Sequence, residues 1–77
     1  MDIKVLGPGC NNCVRLEANT REALSALGRR ASIEKVTDIG EIVGYGVMRT
    51  PGLVVDGTVV VSGRVPSVDD LKLLLAG

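Results

Sequence analysis

The sequence has 77 residues, with nine Lys and Arg against nine Asp and Glu, two Cys, one Tyr and no His, Trp or Phe. A chain of this length buries only a small core, so we expect residues 1–77 to form a single domain. The zero net charge and the single aromatic ring exclude the basic, stacking surfaces of nucleic-acid-binding proteins, and the lack of His removes the most common general base and metal ligand.

The first half of the chain predicts a strand, a long helix and a second strand. Residues 3–6 favour a strand, and the Gly-Pro-Gly that follows opens a loop. Residues 11–27 place apolar side chains three or four positions apart, which is typical of one helical face, and Gly28 is predicted to end that helix. Residues 31–36 alternate an apolar residue with charged neighbours, as a strand does.

The second half predicts a short helix, a hairpin and a closing helix. Asp38 is a candidate N-cap, but three glycines weaken the helix behind it, so we expect that helix to be short and mobile. Asp56-Gly57 joins two β-branched runs, which is a strong hairpin signal. Ser67 then precedes an amphipathic helix at the end of the chain.

These elements give the order β-α-β-α-β-β-α, which predicts an α/β fold. The first three elements form a right-handed crossover between two parallel strands, and the last two strands form an antiparallel hairpin. Together they predict one mixed four-stranded sheet, with residues 58–61 as an edge strand.

The chain lacks the sequence features of membrane and secreted proteins. No stretch approaches the roughly 20 consecutive apolar residues that span a bilayer. The first four residues have neither the basic start nor the apolar middle of a secretory signal. We therefore expect a cytoplasmic protein that binds neither membranes nor nucleic acids.

The two cysteines, Cys10 and Cys13, lie where the first loop enters the first helix. The free N–H groups and the partial positive charge of a helix N-terminus favour thiolate over thiol, so Cys10 should be the more acidic cysteine. Cys13 lies one turn further on the apolar face, where it is shielded and can act as the resolving thiol. A purely structural disulfide is the weaker interpretation, because it would close a ring of only four residues and the cytosol opposes it.

This pattern resembles the thioredoxin/glutaredoxin fold over the whole chain. The Cys-x-x-Cys motif at a strand-to-helix junction is followed, forty residues after its first cysteine, by Thr50-Pro51 at the head of a strand and then by Gly63 beyond the hairpin. More narrowly, the short length and the segments 34–38 and 45–48 resemble the small redox-active disulfide proteins, a minimal thioredoxin-like family of bacteria and archaea.

The resemblance implies a thiol-disulfide oxidoreductase that carries electrons through its dithiol/disulfide couple. It implies that Cys10 attacks, that Cys13 resolves, that Pro51 is a cis proline beside the disulfide and that the backbone of Thr50 pairs with the substrate chain. The implied partners are a disulfide-containing protein substrate and an upstream reductase. We expect a monomer that needs no bound cofactor and no metal.

The sequence departs from thioredoxins around the motif. Thioredoxins carry Trp before the first Cys and Gly-Pro between the pair, whereas this chain has Gly9 and Asn11-Asn12. Thioredoxins also place a buried Asp on the preceding strand, where this chain has Lys4. If Lys4 turned inward it would lower the pKa of a thiol, but a solvent-facing lysine is the favoured interpretation.

Four other side chains near the motif allow two interpretations each. Arg15 and Arg49 either flank the thiols or are solvated surface residues, and we favour the second. Tyr45 either contacts a partner or caps the core, and we again favour the second. For Met48, lining a docking groove and filling a core gap are equally compatible with the sequence.

The alternative function is a binding protein for a soft metal or a metalloid, which would use the same two thiolates. Metal chaperones of the heavy-metal-associated type also place Cys-x-x-Cys after a first strand. Their hairpin follows the first helix directly, however, whereas here a helix signal stands in that place. A closed zinc site would need ligands from outside the chain, which offers two thiolates and no imidazole. A non-catalytic adaptor is the third possibility.

Overall fold

A computed structural model describes residues 1–76 of the chain. Over these residues the element order confirms the predicted β-α-β-α-β-β-α pattern. The elements are β1 (Asp2–Leu6), α1 (Asn11–Leu27), β2 (Ser32–Val36), α2 (Ile39–Gly44), β3 (Gly52–Val55), β4 (Thr58–Ser62) and α3 (Val68–Ala76). None of the helices in residues 1–76 has the length and apolar character needed to cross a membrane.

The four strands form one mixed sheet in the order β2-β1-β3-β4, as predicted. Strand β1 pairs in parallel with β2 and antiparallel with β3, and β4 pairs antiparallel with β3 at the edge. The turn between β3 and β4 has positive φ angles at both Asp56 (49°) and Gly57 (84°), the combination that a two-residue hairpin turn of this type requires. The Asp-Gly signal in the sequence therefore located the hairpin correctly.

Side-chain caps set where each helix begins. The Asp38 carboxylate accepts hydrogen bonds from the N–H groups of Gly40 (2.7 Å) and Glu41 (3.3 Å) and starts α2. The Ser67 hydroxyl accepts from the N–H of Asp70 (3.1 Å) and starts α3. Helix α2 is only six residues long, which agrees with the short helix expected from its glycines.

The sheet separates two groups of buried side chains. Ile3 and Val5 of β1 belong to the larger group, which includes buried residues of α1 and α3. Leu6 and Val54 belong to the smaller group, which includes Ile42 of α2. Helices α1 and α3 therefore cover one face of the sheet and α2 covers the other. The start of α1 and the segment after α2 meet at the end of β1, where the two cysteines lie.

Candidate active site

Cys10 and Cys13 form a disulfide at the N-terminus of α1, with their Cα atoms 5.1 Å apart. Cys10 is the N-cap residue in an extended conformation, and its Sγ accepts a hydrogen bond from the backbone N–H of Cys13 (3.3 Å). The first turn of α1 contains no acidic residue that would oppose a negative charge on this sulfur. The helix N-terminus therefore favours thiolate at Cys10 when the disulfide is reduced.

The two sulfur-bearing residues differ in their access to solvent. Cys10 is exposed together with Asn11 and Asn12, whereas Cys13 is only 5% exposed. A substrate that approaches from solvent therefore meets Cys10 first, and Cys13 is shielded in the way the helical pattern predicted.

Gly7 allows the chain to pass directly beside Cys13. A Cβ on Gly7 would overlap Cys13 Sγ and would lie 3.8 Å from Thr50 Cβ. The backbone N–H of Gly7 donates to the carbonyl of Val36 (2.9 Å), which holds this position against β2. Cys13 and Thr50 therefore both lie close to Gly7. From the sequence Gly7 was predicted only as part of a loop, and its close approach to Cys13 was not predicted.

The Thr50–Pro51 peptide bond is cis, as the resemblance implies. Pro51 is buried, and its carbonyl accepts a hydrogen bond from the N–H of Gly63 (2.9 Å), whose φ is +76°. Thr50 is exposed and lies outside the helices and strands. Within residues 1–76 neither its backbone N–H nor its carbonyl forms a hydrogen bond with another backbone group. The residue before the cis proline is thus free to pair with another chain.

An apolar groove of about 190 Å³ continues from Thr50 along α2. Its walls include Ile39 and Val43, which expose much of their side chains, and Met48, which is 85% exposed. The exposure of Met48 contradicts the interpretation that this side chain fills a core gap, whereas its role in docking a partner stays a prediction. Exposed apolar side chains that cluster in this way are typical of interaction sites.

The charged side chains singled out in the sequence are Lys4, Arg15 and Arg49, and none of them lines the small pocket beside Cys13. Lys4 Nζ lies 5.9 Å from the centroid of the Tyr45 ring, and both residues line a cavity of about 250 Å³ beside α2 that does not include either cysteine. Tyr45 packs against the smaller buried group, which agrees with the favoured interpretation of this residue as a core cap. Arg15 and Arg49 are exposed, as expected of surface arginines.

Two residues that were not predicted at the site line this small pocket together with Cys13. They are Glu17 and Lys35, and Lys35 Nζ lies 3.1 Å from Glu17 Oε1. Glu17 Oε2 also contacts Arg21 Nε (3.0 Å). Burial raises the pKa of Glu17, but the hydrogen bonds and charges of Lys35 and Arg21 outweigh it and leave the pKa below its ordinary value.

No group of three or more Cys, Asp, Glu or His side chains within residues 1–76 could hold a metal ion. A metal bound by this part of the chain would have only the two thiolates of Cys10 and Cys13 as ligands in the motif.

The arrangement of one exposed and one shielded sulfur beside a cis proline is suited to thiol-disulfide exchange, in which one sulfur attacks and the other resolves.

Comparisons with known proteins agree with this geometry. A family model described as a thioredoxin domain matches residues 1–76. A protein named thioredoxin from Methanothermobacter thermautotrophicus is 42% identical over 76 residues, which cover 99% of this chain and 99% of that protein. A protein named thioredoxin from Methanocaldococcus jannaschii is 40% identical over 70 residues, which cover 91% of this chain and 80% of that protein.

Proposed function

The chain belongs to the thioredoxin domain family and is a protein-disulfide oxidoreductase with a Cys10–Cys13 couple, and we propose that it reduces the disulfides of protein substrates in the cytoplasm. The relatives are named thioredoxin, which supports this direction of electron flow. A reducing cytosol would keep the couple ready to donate electrons. The soft-metal alternative is not favoured, since the relatives named thioredoxin cover nearly the whole chain.

Cys10 is the proposed nucleophile. Its thiolate attacks one sulfur of a substrate disulfide, which forms a mixed disulfide and releases the other substrate sulfur as a thiolate. Cys13 then attacks Cys10 Sγ, so that the Cys10–Cys13 disulfide forms and the second substrate sulfur leaves. Two electrons pass from the protein to the substrate. The exposure of Cys10 and the N–H of Cys13 that points at its sulfur support this order.

Thr50 and Pro51 are the proposed substrate-binding residues. Within residues 1–76 the backbone of Thr50 has no backbone hydrogen-bond partner, and Thr50 and Cys13 both lie close to Gly7, so a substrate chain that pairs with Thr50 would bring its own sulfur towards the disulfide. Pro51 holds this segment through its buried ring and through the hydrogen bond from Gly63. The groove lined by Ile39 and Met48 would take an apolar side chain of the same substrate.

The oxidised protein must be reduced again before each new cycle. We expect another protein, a reductase, to supply the electrons, because the redox group that residues 1–76 supply is the Cys10–Cys13 couple itself. The protein would then act as a monomeric electron carrier between the reductase and its targets.

The observation that carries this proposal is the contrast between an exposed Cys10 at a helix N-terminus and a shielded Cys13. It is tested by incubating Cys13→Ser and Cys10→Ser variants with insulin as a disulfide-bonded substrate. The Cys13→Ser variant should accumulate a mixed disulfide, detected by intact mass and lost on adding a reductant. The Cys10→Ser variant should trap little, and equal trapping by the two variants would contradict the assignment of roles.

A further inference from the structure

A small pocket beside Cys13 brings charged side chains close to the shielded sulfur. The pocket has a volume of about 30 Å³, enough room for water. Its charged lining consists of Glu17 from α1 and Lys35 from β2, whereas β1 contributes Val5 and the loop contributes glycines. Cys13 therefore shares this pocket with one acidic and one basic residue.

The ion pair fixes where the lysine charge lies. Glu17 follows Cys13 by one helical turn, and its side chain is only 15% exposed. The Lys35 side chain is 63% exposed, so without a partner its ammonium group would extend into solvent. Its contact with Glu17 Oε1 keeps it at the pocket. Arg21 neutralises the other carboxylate oxygen from outside the pocket.

We propose that Lys35, held in place by Glu17, stabilises the Cys13 thiolate and thereby speeds the resolving step. This inference rests on the proposed function, in which Cys13 attacks the mixed disulfide. Cys13 first loses its thiol proton to water, and its thiolate then attacks Cys10 Sγ. The Cys10–Cys13 bond forms, the bond between Cys10 and the substrate breaks, and the substrate sulfur leaves with the electron pair.

Physical chemistry gives the two charges opposite effects. Burial disfavours the anionic form of Cys13, and a nearby positive charge offsets that cost. Removal of the Lys35 charge should therefore raise the Cys13 pKa. Replacement of Glu17 by Gln should lower the Cys13 pKa, because the amide oxygen can still accept a hydrogen bond from Lys35 while the negative charge is lost.

The test measures the Cys13 thiol alone, in a Cys10→Ser background, by the ultraviolet absorbance of the thiolate as a function of pH. The absence of Trp and the single Tyr keep the background absorbance low. At the wild-type midpoint, Lys35→Met should reduce the thiolate-to-thiol ratio by about two- to fivefold, and Glu17→Gln should increase it by a similar factor. Lys72→Met is the matched control, because Lys72 also pairs with a carboxylate, Asp69, but lies on α3.

Two results would overturn the inference. One is a Lys35→Met curve that coincides with the Lys72→Met curve. The other is a Lys35→Met curve shifted to lower pH, which would mean that the lysine charge disfavours the Cys13 thiolate. Insulin reduction by the wild-type protein is measured in parallel. Its absence would reject the proposed function, whereas the Cys13 titration would still decide the role of Lys35.

Discussion

Gly7 and Cys13 approach so closely that a Cβ on Gly7 would overlap Cys13 Sγ and would lie 3.2 Å from Cys13 Cβ. The same Gly7 donates its N–H to Val36, so its backbone cannot retreat without breaking a hydrogen bond at the end of the sheet. The requirement for glycine here comes from packing against the disulfide.

We therefore expect Gly7→Ala to destabilise the oxidised protein by about 1–3 kcal/mol, as overpacked sites do. The measurement is the free energy of unfolding in urea without reductant. Gly44→Ala is the control, since a Cβ on Gly44 meets nothing within 4 Å and lies in a helix. The free energy of unfolding of this control variant should increase by about 0.5–1 kcal/mol relative to the wild type. If both variants changed stability in the same direction, the close approach of Gly7 to Cys13 would not be the cause.

The groove beside α2 predicts a preference for protein substrates with an apolar side chain near the target cysteine. Met48→Ser should lower kcat/KM for insulin by roughly fivefold, because about 1 kcal/mol of apolar burial is lost. Reduction of a small hydrophilic disulfide, bis(2-hydroxyethyl) disulfide, should not change. Leu73→Ser serves as the control, because Leu73 is also highly exposed (79%) but lies on α3. A loss with the small disulfide as well would indicate damage to the cysteine pair instead.

The sequence predicted most of the fold because its signals are local. Asp56-Gly57 specifies a turn by itself, and the helix entry at Cys10 follows from the residues around it. Glu17 and Arg21 are four residues apart on one helix, so their ion pair was also readable from the sequence.

The rest of the site depends on contacts between elements that are distant in the chain. Lys35 meets Glu17 only because β2 pairs beside β1 and α1 crosses the same sheet face. The presence of a lysine at position 35 does not indicate an ion pair with Glu17, because a lysine on a strand is usually solvated. For Met48, the exposed position depends on how the segment after α2 folds towards the cis proline, which spacing along the sequence does not specify.

The Cys10–Cys13 couple should titrate reversibly as a two-electron couple. We expect a midpoint between roughly −200 and −280 mV, the range of proteins that exchange disulfides with cellular partners. Thiol trapping followed by intact mass across a series of metal-free dithiol buffers gives this value. A midpoint below about −300 mV would indicate a disulfide that cellular reductants do not open, which is incompatible with an electron carrier.

The Glu17 ion pairs predict how stability depends on pH. The pKa of Glu17 in the folded protein lies below its ordinary value of 4.5, so the folded state favours the ionised carboxylate. This contribution to stability is fully present above that ordinary value and is lost as the pH falls through the folded pKa. Glu17→Gln should therefore be less stable than the wild type at pH 7, and it should lose less stability on acidification.

Urea unfolding at pH 7 and at the lowest pH at which the protein remains folded measures both differences, because the contribution of Glu17 is lost progressively below its ordinary pKa of 4.5. Glu22→Gln is the control on the same helix, since Glu22 is exposed and forms no ion pair within residues 1–76. The control should follow the wild type at both pH values. If Glu17→Gln lost as much stability on acidification as the wild type, then Lys35 and Arg21 would not be holding Glu17 in its ionised form.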